Sequence, residues 1–235
     1  MPGPVALIGA GEFLPGMEAI DRALLAGISR SRPRVAIVPT ASAPDGEAVF
    51  RGWADMGRAH FAALGAEVEA VLVRTVEEGS DSGALQAIGE ADLIYFSGGK
   101  PDHLRAVLTG SPLGAAVHGA HARGAVIAGC SAGAMALAGM QADLRRRMLP
   151  WPIKWATGSG VAPGIAVLPH YDAWPEAVLA LMALQAPRAV IVLGIDEDTA
   201  VVCRDGIWEV HGRARVTVWR GRHRQRFRRG ETFQL

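Results

Sequence analysis

The 235 residues, half of them hydrophobic, are enough for one sizeable core burying roughly 70–75% of the unfolded chain's surface, which makes one domain over residues 1–235 the expectation. Two cysteines, Cys130 and Cys203, exclude a disulfide framework and have no metal-ligand spacing; the start Met1-Pro-Gly-Pro lacks a basic leader and no run reaches the length of a membrane span, so the expected setting is cytoplasmic, with no membrane partner. The formal charge of +1 conceals an asymmetry: residues 213–235 hold eight arginines and one glutamate, a charge of +7 against −6 for the rest.

Val5-Ala-Leu-Ile8 reads as a short buried strand, followed by Gly9-Ala-Gly11-Glu-Phe and an apolar-periodic helix from Met17 to Leu25. Gly9-x-Gly11 invites a dinucleotide reading. The third glycine position, however, holds Leu14, and the next strand, Arg34 to Thr40, ends without the acidic residue that would hold a ribose, so no cofactor is expected. A helix over Glu47–Leu64, a strand over Val68–Val73 and a strand Leu93-Ile-Tyr-Phe96 ending at Ser97-Gly98-Gly99 come next. Pro101-Asp-His-Leu opens a further helix, and Leu113 to Arg123 gives another.

The run Ala125-Val-Ile-Ala-Gly-Cys-Ser-Ala-Gly-Ala134 organises the rest. Val126 and Ile127 suit a buried strand, while Ala132, Ala134, Met135 and Leu137 suit a helix, so the chain must turn sharply at Ser131. That is the pattern of a nucleophile elbow: a side chain at the apex is pushed out of the sheet top, and glycines two residues before and after let neighbouring backbone pass. Cys130 precedes the apex and is expected to point down into the packing as a small buried hydrophobe.

From Gln141 to Pro163 the texture becomes irregular, with Arg145-Arg-Arg147, three prolines and two glycines, which reads as a functional loop. Ile165 to Leu168 is a strand ending at Pro169-His170-Tyr171-Asp172, Pro175 to Leu184 a helix, and Arg188 to Gly194 a strand. Asp205-Gly206, between Thr199–Cys203 and Ile207–Val210, is a hairpin signal. Arg220, Arg222, Arg224, Arg226 and Arg228 alternate with other residues, which on one strand would share a face. A nucleic acid could use such a stripe, but aromatics are sparse there and a solvated face blunting a sheet edge is preferred, so no nucleic-acid partner is expected. The alternation of strands and helices gives the fold class: α/β, a mostly parallel doubly wound sheet with helices on both faces, a nucleophile elbow and C-terminal antiparallel strands. In such sheets working residues gather at the carboxyl ends of strands, where Gly98-Gly99, Ser131 and His170 all lie.

A serine hydroxyl barely ionises at neutral pH and needs a base; imidazole titrates near neutrality. Of seven histidines, His60 and His103 fall within helices, and His211 and His223 in terminal strands. His118 and His121 share a helix face without nearby carboxylates or cysteines, a weak metal site, so no metal is expected. His170 alone follows the elbow at a strand end. The oxyanion formed on attack wants two backbone donors; the N–H of Ala132 is one, and the Gly98-Gly99 turn offers the other.

Tyr95-Phe-Ser-Gly-Gly99 with Leu104, Gly129-x-Ser-Ala-Gly-Ala134, Leu168-Pro-His170 and Gly194-Ile-Asp-Glu-Asp-Thr-Ala200 together resemble the serine peptidase family of aspartyl dipeptidase (peptidase E) and cyanophycinase, whose fold is like that of class I glutamine amidotransferases. The matching motifs run from Gly9 to Gly230-Glu-Thr-Phe. The resemblance implies an intracellular serine hydrolase cleaving amide bonds of short or modified peptides, with nucleophile Ser131, base His170 and oxyanion donors Gly99 and Ala132. A small peptide would be its substrate, and assembly into a homo-oligomer is left open. The alternatives are a non-hydrolytic binding or amidotransferase-like module, and a cyanophycinase-like enzyme with altered substrate. Lys100 and Arg145 are candidate readers of an acidic group on the substrate. In the resembling peptidases the acid that orients the histidine comes from between elbow and histidine, and there the chain has one carboxylate, Asp143. Asp143 is therefore the first choice, Glu197 the second, and Asp172 and Glu176 follow.

Overall fold

The computed structural model describes residues 1–143 and 152–235. In chain order the first half builds β1 (Val5–Ile8), α1 (Glu18–Ala26), β2 (Arg34–Val38), α2 (Glu47–Ala63), β3 (Glu67–Ala70), α3 (Ser82–Glu90), β4 (Leu93–Phe96), α4 (Pro101–Gly110), α5 (Pro112–Ala122), β5 (Val126–Cys130) and α6 (Ala132–Leu137). The second half builds β6 (Ala138–Ala142), β7 (Trp155–Thr157), β8 (Ala162–Leu168), α7 (Glu176–Leu184), β9 (Ile191–Ile195), β10 (Thr199–Arg204), β11 (Ile207–Gly212), β12 (Arg215–Arg220), β13 (His223–Arg228) and β14 (Thr232–Gln234).

Eight strands form one sheet in the order β14-β11-β10-β1-β5-β4-β2-β3, parallel from β1 to β3 and closed at the other end by antiparallel β10, β11 and β14. The central strands β1, β4 and β5 are apolar at nearly every position because both faces are covered. Their side chains alternate between two cores. Ile8, Tyr95 and Cys130 enter one with Phe61 of α2 and Leu24 of α1; Leu7, Phe96 and Ile127 enter the other with Leu104 of α4 and Val117 of α5. Helices on both faces of a mostly parallel sheet are the architecture expected from the sequence.

Two features depart from that expectation. A second sheet, β13-β12-β9-β8-β6-β7, takes in the end of β6, all of β7 and the start of β8 from the stretch read as an irregular loop. The short, Gly- and Pro-interrupted strands there carry too little periodicity to show in the sequence. The arginine stripe is also divided: a hairpin at Gly221-Arg222 separates Arg220 on β12 from Arg224, Arg226 and Arg228 on the edge strand β13. Among the described residues no helix is long and apolar enough to cross a membrane.

Candidate active site

The five residues of β5 are fully enclosed, and the chain reverses immediately after them at Ser131, whose φ of 51° and ψ of −109° lie outside the usual regions for a residue with a side chain. The surrounding glycines make that turn possible. A Cβ added at Gly129 would lie 2.6 Å from the carbonyl carbon of Gly133, and one at Gly133 would lie 2.3 Å from the carbonyl oxygen of Phe96. The apex is pinned at both sides: Ser131 N–H donates to Ile8 O at 2.9 Å, and Met135 N–H donates to Ser131 O at 3.1 Å.

β8 delivers His170. Parallel pairing sets Leu168 opposite Gly194, so the chain leaving β8 and the chain leaving β9 emerge side by side. His170, in a left-handed conformation at the end of β8, reaches back with Nε2 2.9 Å from Ser131 Oγ. Its Nδ1 lies 2.7 Å from Glu197 Oε1 in the turn after β9. With the ring proton on Nδ1 donating to the carboxylate, Nε2 is left to accept the serine O–H. Asp172 fixes that turn by accepting the Glu197 N–H on Oδ1 at 2.9 Å.

The carboxylate on the imidazole is thus Glu197 rather than the first-choice Asp143. The reason is topological: β6 and β7 intervene, and Asp143 heads their connection, its N–H donating to Lys154 O at 2.8 Å. Glu176 pairs instead with Arg224 and Arg226. Cys130 lies on the opposite face of the sheet, wholly buried, with Sγ donating to Glu12 Oε2 at 2.9 Å. Burial, reinforced by the Glu12 charge, pushes its thiol well above the ordinary range, so it stays protonated.

The two expected donors of an oxyanion hole flank Ser131. Ala132 begins α6, so its N–H has no intrahelical acceptor. Across from it, the N–H of Gly98 is committed to Glu12 Oε1 at 2.7 Å, and Gly99 carries the next amide of that turn. Gly99 has φ of 140°, and a Cβ there would meet the Ala41 carbonyl at 2.4 Å. Lys100, next in sequence, is exposed, with its Nζ 3.0 Å from Asp45 Oδ1. Arg145, with Arg146 and Arg147, lies outside the described residues.

Several sequence features find other uses. Gly9 and Gly11 press the loop after β1 against the turn carrying Glu197: a Cβ at Gly9 would lie 2.1 Å from Asp196 O, and at Gly11 2.6 Å from Asp198 Oδ1. His118 and His121 each direct Nε2 at a backbone carbonyl, of Ser159 and Gly3 respectively, at 2.8 Å. Among the described residues no group of three His, Cys, Asp or Glu side chains could hold a metal ion. Glu12 and Asp172 were not given these contacts by sequence reasoning; the Gly-Ala-Gly-Glu run after a buried strand was the available signal for the first.

The sequence model of peptidase family S51 matches residues 5–210. Cyanophycinases from Trichormus variabilis and a Nostoc species are each 29% identical over 227 residues, covering 91% of this chain and 72% of theirs. The crystal structure of a peptidase from an acI-B1 actinobacterium superposes with a TM-score of 0.88 at 30% identity, covering all of this chain and 98% of the other. A putative peptidase E protein from Listeria monocytogenes, 17% identical, shares the fold with a TM-score of 0.66 over 91% of this chain and all of the other.

Proposed function

The chain belongs to peptidase family S51 and is a serine-type peptidase, and from that premise we propose that it hydrolyses amide bonds of short or modified peptides through a Ser131–His170–Glu197 triad. The observation that carries the reading is the continuous hydrogen-bond path from Ser131 Oγ through both ring nitrogens of His170 to Glu197.

In this reading the Ser131 hydroxyl attacks the substrate carbonyl while Nε2 of His170 takes its proton; Glu197 stabilises the imidazolium and holds the ring. The oxyanion is received by the N–H groups of Gly99 and Ala132, and losing one such donor costs about 10²–10³ in turnover. His170 returns the proton to the departing amine as the tetrahedral intermediate collapses to an acyl-enzyme. Water, deprotonated by the same imidazole, then releases the acid and restores Ser131. About two-fifths of each of the His170 and Glu197 side chains is exposed (37% and 43%), so a peptide reaches the triad without a large opening of the fold.

For the substrate we place an acidic group near the scissile bond, met by Lys100 exchanging its Asp45 partner for the substrate carboxylate. The test is hydrolysis of a dipeptide panel, with cyanophycin alongside, by the wild type and Ser131→Ala. Turnover of dipeptides lost in Ser131→Ala supports the reading. Turnover of cyanophycin alone shifts it to the cyanophycinase-like alternative, and turnover of nothing in the panel leaves the binding-module alternative standing.

A further inference from the structure

Glu12 is sealed beneath the active site, 6% exposed, on the loop between β1 and α1. A carboxylate in such a place costs several kcal/mol, on the order of the penalty for any buried charge, unless its oxygens are hydrogen-bonded. Those oxygens are divided between the two arms that frame Ser131. Oε1 accepts the Gly98 N–H at 2.7 Å, and Oε2 accepts the Cys130 thiol, one residue before the apex, at 2.9 Å. The approach is so close that a Cβ on Gly98 would lie 2.7 Å from Oε1 and 3.5 Å from Ser131 Cβ. The same loop is clamped to the turn carrying Glu197, since Asp198 N–H donates to Ala10 O at 3.3 Å and the two glycines flanking Ala10 leave no room for side chains.

We propose that Glu12 is a positioning residue for the oxyanion hole. Gly98 and Gly99 offer successive amides in a turn of two residues without side chains, a conformationally loose arrangement. A short hydrogen bond from the Gly98 N–H to an acidic group fixes that turn, takes the first amide out of play and aims the second, Gly99 N–H, into the space faced by Ala132 N–H. The bond to Cys130 ties the turn to the elbow, so both donors are referenced to one side chain. This rests on the reading of Ser131 as nucleophile with Gly99 and Ala132 as donors.

The test is the rate of phosphonylation by a fluorophosphonate–rhodamine probe, whose phosphonyl oxygen occupies the oxyanion position. It is measured on the whole chain for wild type, Glu12→Gln, Glu12→Met, Glu12→Asp and Ser131→Ala, with a thermal unfolding curve for each. Gln keeps an acceptor for Gly98 N–H and a donor towards Cys130 Sγ, and its rate is expected within about threefold of wild type. Met has similar length and no amide or carboxylate, and a rate lower by about 30- to 100-fold is expected from a mis-aimed oxyanion donor. Asp withdraws the carboxylate by one methylene and is expected to fall roughly tenfold. A packing role would rank the variants by volume and put Met beside Gln, so folded Met and Gln variants reacting at the same rate overturn the proposal. Should the Met variant fail to fold, Asp decides: reaction as fast as wild type overturns it, and a tenfold fall with Gln near wild type upholds it. A wild type that does not label, or a Ser131→Ala that does, sinks the serine reading itself and Glu12's role with it.

Discussion

Glu197 Oε1 stands 2.7 Å from His170 Nδ1 although 27 residues separate them, because parallel β8 and β9 release their chains side by side at one sheet edge. An acid in that position fixes the tautomer and stabilises the imidazolium, and neutralising it lowers turnover on the order of 10⁴-fold. Glu197→Gln is therefore expected to collapse kcat with an unchanged circular dichroism spectrum, whereas Asp143→Asn stays within a few-fold of wild type. The reverse outcome would return the role to Asp143.

Cys130 sits beside Ser131 in sequence but packs into the core below the sheet edge, protonated and bonded to Glu12. Iodoacetamide at neutral pH is expected to leave it unmodified in the folded protein and to alkylate it in urea. Cys130→Ala should retain appreciable activity while losing about 1–3 kcal/mol of stability, the cost of leaving one Glu12 oxygen without its donor. A dead Cys130→Ala that unfolds at the wild-type temperature would contradict this placement.

Ser131, His170 and the Gly98-Gly99 turn were legible because each is a local pattern: a strand, a break of small or special residues, a helix. Glu197 was legible as a candidate but not as the carboxylate that lies against His170. Choosing it over Asp143 requires knowing that β6 and β7 leave the main sheet and that β9 returns beside β8, and neither is written in a periodicity of 2 or 3.6. The second sheet stayed hidden for the same reason. For Glu12 the Gly-Ala-Gly-Glu run marked the loop but not the contacts, because its partners, Gly98 and Cys130, lie 86 and 118 residues away. The alternation of Arg220 to Arg228 misled because Gly221 supplies a turn, with φ of 58°, within what reads as one strand.

The elbow's geometry depends on the missing side chain at Gly133, where a Cβ would overlap the Phe96 carbonyl oxygen at 2.3 Å. Gly133→Ala is expected to destabilise the protein by about 1–3 kcal/mol, the usual cost of overpacking, and to slow turnover by displacing the Ala132 N–H. Urea denaturation and kcat measured together check it. A stable, fully active variant would mean that the strand-to-helix turn relaxes without consequence.

Lys100 Nζ lies 3.0 Å from Asp45 Oδ1, and in the proposed reading that carboxylate competes with the substrate's. Asp45→Asn is expected to raise kcat/KM for Asp-X dipeptides relative to Leu-X by a few-fold, since an exposed pair of this kind is worth about 0.2–1 kcal/mol. Lys100→Met should erase the difference between Asp-X and Asn-X. Equal kcat/KM for Asp-X, Asn-X and Leu-X in the wild type removes Lys100 from substrate recognition.

The proposed reaction depends on Ser131 acting as the nucleophile activated by His170. Intact-protein mass spectrometry after treatment with a fluorophosphonate, followed by peptide mapping, tests it most directly. The expected result is one adduct per chain, located on Ser131, absent from Ser131→Ala and slowed on the order of 10³-fold or more in His170→Ala. An adduct on any other residue, or full labelling that survives Ser131→Ala, would contradict it.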